Sequence, residues 1–155
     1  MRRVLLIEDG TEYEEFARLF LADACELVAA HDAAEALAAA AQAADEGARF
    51  DAFLVDLRFE RAPEAALIGG VEETANRLFG GDRARALRWL KDQQGTLVLA
   101  ELRRAGHAQP AVFVHDFPRQ RLENLRRLYG DVRAVPGFDA AAIRAALDLP
   151  PGSAR

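Results

Sequence analysis

"VLLIEDG", residues 4–10, is a run of apolar residues that stops at two acids and a glycine. A short continuous apolar run of this kind reads as a strand covered on both faces, and such strands belong to parallel sheets flanked by helices. The acids raise a second point. Adjacent carboxylates at the edge of a core repel each other unless something positive sits beside them. Glu8 and Asp9 are therefore the first place to look for chemistry.

Outward from this stretch, strand and helix patterns alternate. "TEYEEFARLFLAD" (11–23) has helical spacing, with Phe16, Leu19 and Phe20 expected on one buried face and a Thr11/Glu14 capping box at its start. "ELVAA" (26–30) reads as a weaker strand, and Asp32 as the cap of a helix over 33–46 that Gly47 ends. "DAFLVDL" (51–57), "AVFVH" (111–115) and "VRAV" (132–135) supply three more strands, and helices are expected at 95–106, 118–130 and 139–148. The alternation predicts an α/β fold with a doubly wound parallel sheet. A whole βαβ unit takes roughly 30 residues, so the stretch 58–94 is surplus and is expected to be an insertion of one or two helices. Asp82 would cap the one that carries Trp89 and Leu90. A single domain over 1–149 is expected, with a frayed tail at 150–155.

Bulk composition narrows the function classes. The chain is 51% hydrophobic and 29% charged, which suits a globular domain. Its formal net charge of -5 speaks against nucleic acid as a partner. Nothing approaches the ~20 continuous apolar residues of a membrane span, and no signal-peptide pattern opens the chain. The lone Cys25 rules out an internal disulfide framework. A cytoplasmic protein is expected.

In open parallel sheets, ligands bind beyond the carboxyl ends of the strands. Glu8 and Asp9 end one predicted strand, Asp56 ends another, and His115 ends a third. If those strands are neighbours, three carboxylates and an imidazole converge, and magnesium is the natural cation for such a set.

This series, taken in order, resembles the receiver domain of two-component response regulators over most of the chain. "VLLIEDG" matches the family's first strand with its acidic pair, "HDAAEALAAA" (31–40) its second-strand-to-helix segment, and "FDAFLVDL" the strand bearing the phosphoacceptor. "QGTLVLAELRRAGHAQPAVFV" (94–114) resumes the pattern of glycine, helix, proline and strand. The resemblance implies a CheY-like, flavodoxin-like fold of five parallel strands in the order 2-1-3-4-5. It also implies Asp56 as phosphoacceptor and magnesium held by Glu8, Asp9, Asp56 and the backbone carbonyl of Arg58. The departures matter as much. His115 stands where the family has threonine or serine, Val135 where it has the phosphoryl-binding lysine, and Val132 at the aromatic switch position.

The expectation is thus an atypical or pseudo-receiver that signals through protein contacts, is not an enzyme, and has no output domain attached because the chain ends soon after the last helix. Lys91, the only lysine, and Arg58 are candidate substitute cations, each also readable as an ordinary surface residue. Phe79 and Trp89 of the insertion, with Arg119 and Arg126 of the helix at 118–130, are candidate partner-surface residues. A protein partner such as a histidine kinase is expected, and a homodimer is compatible; neither nucleic acid nor membrane is. The alternative is a metal-dependent phosphoesterase built on Glu8, Asp9, Asp56 and His115 with manganese or zinc. No general base or arginine cluster accompanies that set, and the Asp-x-Asp of Toprim enzymes is missing, since Asp56 is followed by Leu57 and Arg58.

Overall fold

Leu5, Ile7, Phe53, Val55 and Phe113 bury their side chains on one face of a parallel sheet, and Val4, Leu6, Leu54, Val112 and Val114 on the other. This two-residue alternation with both faces apolar is why the strands read as continuous hydrophobic runs. A computed structural model describes residues 1–152. The strands are β1 (Arg2–Ile7), β2 (Cys25–Ala30), β3 (Ala52–Val55), β4 (Ala111–Val114) and β5 (Val132–Val135), all parallel and ordered β2-β1-β3-β4-β5. The helices are α1 (Glu12–Phe20), α2 (Ala33–Asp45), α3 (Val71–Leu78), α4 (Arg83–Arg104), α5 (Arg119–Tyr129) and α6 (Ala140–Ala146). Buried residues of α1 and α6 cover one face of the sheet, and those of α2, α4 and α5 cover the other. Of the expected tail at 150–155, residues 153–155 lie outside the described residues.

Several local expectations hold. The Asp32 side chain accepts a hydrogen bond from Glu35 N at 2.8 Å, capping α2. Gly47 follows that helix with φ +69°, the left-handed conformation a glycine adopts without strain. Asp82 caps α4 by accepting from Arg85 N at 3.1 Å.

Others are corrected. The Thr11 side chain makes no capping bond, so there is no Thr11/Glu14 capping box. Phe16 does pack, half-buried, on the core beside buried Ala17 and Leu21, whereas Leu19 is 77% exposed and Phe20 49%. The helix expected at 95–106 begins at Arg83 and runs for 22 residues.

One junction explains how α4 passes behind the sheet edge. Gly95 N–H donates to Leu57 O at 2.9 Å, and Phe59 N–H donates to Lys91 O at 2.8 Å. Gly95 N–H and Lys91 C=O are the i and i−4 groups that pair in a regular helix, so the segment after β3 is spliced into the helix between them. A side chain at Gly95 would not fit, because a Cβ there would sit 2.2 Å from the carbonyl oxygen of Asp56 and 2.9 Å from Leu57 Cα. The neighbouring Gln94 is fully buried and clamps the same region. Its amide accepts from Ile68 N at 2.8 Å and donates to Ile68 O and Leu90 O, both at 3.2 Å.

Candidate functional site

Strand order brings the acids together. β1 and β3 are neighbours in register, Ile7 opposite Val55, so Glu8, Asp9 and Asp56 leave the same edge of the sheet side by side. Asp56 N–H donates to Ile7 O at 2.9 Å, which extends the pairing by one residue and fixes the aspartate at the strand end.

The two acids of the opening stretch do different things. Glu8 is 1% exposed, and its carboxylate accepts from Tyr13 N at 3.2 Å and Glu14 N at 2.8 Å. It therefore caps α1 from outside that helix, satisfying amides that the helix itself leaves free. Burial raises its pKa above the ordinary glutamate value, with the two amides pulling the other way. Asp9 is turned outward and accepts from Arg61 N at 2.7 Å.

Asp56, at the end of the neighbouring strand, is strongly perturbed. Burial, followed by the negative charges of Asp9 and Glu8, pushes its pKa up to about 7, while the backbone amides of Arg58 and Leu57 oppose the shift. It opens into a cleft of about 270 Å³ lined by Asp9, Glu12, Tyr13, Asp56, Arg58, Glu60, Arg61 and Phe138. Tyr13 forms one wall, and burial with the neighbouring Asp56 and Glu8 charges moves its phenol up to about 12, so it stays protonated. Phe138 stacks on it with ring centroids 4.5 Å apart, and holds a left-handed backbone (φ 58°) unusual for a residue with a side chain.

Asp9 and Asp56, two oxygen donors on one cleft, fit a hard divalent cation, which takes one or two carboxylates and otherwise water. The mutual repulsion recorded in the Asp56 shift is what such a cation would relieve. Among the described residues no group of three or more His, Cys, Asp or Glu side chains is arranged to hold a metal, and the engagement of Glu8 with the α1 amides is one physical reason.

The remaining candidates lie elsewhere. The His115 ring packs edge-on against Phe117 at 4.7 Å, and burial together with the Arg58 and Arg121 charges lowers its pKa below the ordinary histidine value. His115 does not line the cleft. Val135 is buried in the apolar layer between the sheet and α6. Lys91 Nζ reaches Glu60 O at 3.4 Å and also stands outside the cleft lining. Phe79 and Trp89 pack on each other at 6.5 Å, with the Arg85 guanidinium 5.2 Å from the Phe79 ring, around a recess of about 200 Å³. On α5, Arg119 pairs with Glu123 at 3.2 Å, and Arg126 Nε donates to Val132 O at 2.8 Å.

Five cleft residues were not foreseen: Glu12, Tyr13, Glu60, Arg61 and Phe138. Of these, only Glu12 and Tyr13 carried a signal, as the two helical residues that follow an acidic strand end.

No protein-family model matches the sequence, and no curated protein matches it. Solved structures do. The chemotaxis protein CheY4 of Vibrio cholerae superposes with a TM-score of 0.59 at 18% identity, covering 96% of this chain and 97% of that one. The receiver domain of the Francisella response regulator 1452 gives 0.54 at 15% identity, covering 96% and 98%. CheY of Borrelia burgdorferi, solved as a CheX–CheY–BeF3–Mg2+ complex, gives 0.58 at 11% identity, covering 94% and 86%. At these identities the likeness speaks for architecture alone: the chain has the CheY-like fold of response-regulator receiver domains, a five-stranded parallel sheet in the order 2-1-3-4-5.

Proposed function

We propose that this chain is a signal-receiving unit, residues 1–149, whose phosphoacceptor is Asp56 and whose output passes through contacts with other proteins. The observation that supports this reading is a half-buried carboxylate at the end of the central strand, opening on a cleft it shares with Asp9. A carboxylate nucleophile must be oriented and partly withdrawn from water, yet reachable by phosphorus. Asp56 meets these demands, oriented by the Leu57 and Arg58 amides and facing an open cleft.

Asp9 and Asp56 are the side chains that would hold magnesium, with the Arg58 carbonyl as a further donor and Glu8 adding negative charge behind them. Bound there, the ion would lower the pKa of Asp56 and offset the charge of an incoming phosphoryl group. Phosphoryl donors on this reading are small acyl phosphates and the phosphohistidine of a histidine kinase. A read-out through the ends of β4 and β5 is not part of the proposal, because His115 packs edge-on against Phe117 and Val135 belongs to the core. The Phe79–Trp89 recess on α3 and α4 is the proposed partner surface. The phosphoesterase reading gains no support, since His115 is absent from the cleft that holds Asp9 and Asp56.

The test is intact mass after incubation with acetyl phosphate and magnesium. One phosphoryl adduct on the wild type and none on Asp56→Asn is expected; an unmodified wild type, or an adduct that persists in Asp56→Asn, overturns the assignment. The beryllofluoride–magnesium complex of the Borrelia CheY supports using those two reagents as a second, non-covalent probe.

A further inference from the structure

The cleft around Asp56 is lined by four acids, Asp9, Glu12, Asp56 and Glu60, and by two cations, Arg58 and Arg61. A phosphoryl group arriving at Asp56 brings negative charge into a pocket that already repels it. A divalent ion offsets part of that charge, and the remaining equatorial oxygens need donors. Val135 offers none, and Lys91 points to Glu60 O rather than into the cleft.

Both arginines line the cleft, and the charge of Arg58 is felt also by His115, whose pKa it depresses. Arg61 is better placed. Its backbone N–H is anchored on the Asp9 carboxylate at 2.7 Å, so the residue is tied to a wall of the cleft. Its guanidinium pairs with Glu12, at the start of α1. Gly10 makes room for this pair, since a Cβ there would lie 2.7 Å from Arg61 Nη1 and 2.3 Å from Glu12 Oε2. The Arg61 side chain is 67% exposed and that of Glu12 45%, so the pair lines the cleft from its solvent side, where an ion pair is weak and readily exchanged.

We infer that Arg61 is the cation that binds the phosphoryl oxygens at Asp56, and that Glu12 holds it aside until a stronger anion enters the cleft. This rests on the phosphoacceptor reading above. In the transfer, an Asp56 carboxylate oxygen forms a bond to the phosphorus of an acyl phosphate, the bond from phosphorus to the acyl oxygen breaks, and the carboxylate leaves with the electron pair; no proton is needed. Arg61 exchanges Glu12 for phosphoryl oxygens along the way. Its planar fork suits two oxygens of one group at once, which lysine cannot match.

The experiment measures the initial rate of adduct formation with acetyl phosphate and magnesium, by intact mass, for the wild type, Arg61→Gln, Arg61→Lys, Glu12→Gln and, as a control far from the cleft, Arg127→Gln on the exposed side of α5. Circular dichroism checks that each variant is folded, as the exposure of these side chains leads one to expect. Arg61→Gln is expected to lose at least tenfold, with Arg61→Lys recovering part of it and Arg127→Gln near wild type. Glu12→Gln is expected to react faster than wild type, because Arg61 is released. A phosphorylated wild type with Arg61→Gln equal to it overturns this inference and leaves Asp56 as the acceptor. Glu12→Gln at or below the wild-type rate overturns the restraining role. A wild type that takes no phosphoryl group removes the acceptor reading and this inference together.

Discussion

Gly95→Ala sets two physical effects against each other, and the splice between β3 and α4 decides the sign. In an exposed helix interior, replacing glycine by alanine stabilises by about 1 kcal/mol. At residue 95 the new methyl would lie 2.2 Å from the backbone oxygen of Asp56 and 2.9 Å from Leu57 Cα, and neither neighbour is the yielding tip of a side chain. Relief requires pulling the segment after β3 away from α4, which strains or breaks Gly95 N–H to Leu57 O and Phe59 N–H to Lys91 O. Overpacking in a fixed backbone typically costs about 1–3 kcal/mol, and weakening one or two buried hydrogen bonds adds about 1 kcal/mol each. Subtracting the helical gain leaves a net loss of about 1–4 kcal/mol, or a Tm lower by roughly 3–12 °C at about 3 °C per kcal/mol for a chain of this size. Urea denaturation followed by the fluorescence of Trp89, the only tryptophan, reads this directly. An unchanged or raised midpoint would mean that α4 is a regular helix free of β3, and the splice would have to be abandoned.

Three other outcomes are expected. Asp56→Asn should stabilise the metal-free protein: with a folded pKa of about 7 against about 3.9 unfolded, the wild type has its full stability below pH 4 and loses it as pH rises through 7, by on the order of 2 kcal/mol once partial exposure is allowed for, whereas the variant should show no such fall between pH 4 and 8 in parallel urea titrations. Glu8→Ala should cost about 2 kcal/mol by stripping the partners from Tyr13 and Glu14 N–H, and faster amide exchange at those two residues would locate the damage; unchanged exchange there would refute the capping role. Gln94→Leu should destabilise by about 2 kcal/mol despite its greater hydrophobicity, because the backbone groups of Ile68 lose their partner, and a neutral or stabilising result would show that water replaces it.

How much of this was legible depends on the range of the interaction. The strands themselves are written in a few adjacent residues, as apolar runs ending in acids, whereas their order, and with it the meeting of Asp9 with Asp56, was legible only through the receiver-domain resemblance that the motifs carry as a series. The Asp32 and Asp82 caps are local too, each three residues from its amide. The capping of α1 was misread because the acceptor is Glu8, five and six residues before the amides it serves and across a turn, while the nearer Thr11 fitted the local rule. Leu19 and Phe20 fitted the helical period as well, but nothing in a helix's own spacing says which side of it meets the sheet. Gly95 looked like the start of a helix and is in fact its interior, since the reason for a glycine there sits nearly forty residues upstream at Asp56 and Leu57. Arg61 and Phe138 reach the cleft from loops distant in sequence, and no pattern around either residue announces it.

Glu8 bears on how sequences of this kind can be read. Its carboxylate is fastened to the first turn of α1, so the folded chain needs it whether or not Asp56 ever carries a phosphoryl group. Selection for folding alone would hold the first acid of the pair more firmly than the second, whose structural contact is one exposed bond from Arg61 N–H, so the second would drift first once phosphorylation ceased to matter. In descendants of such a domain, an acid at the position of Glu8 is therefore a record of architecture, and the residue at the position of Asp9 is the one that reports whether the chemistry is still in use.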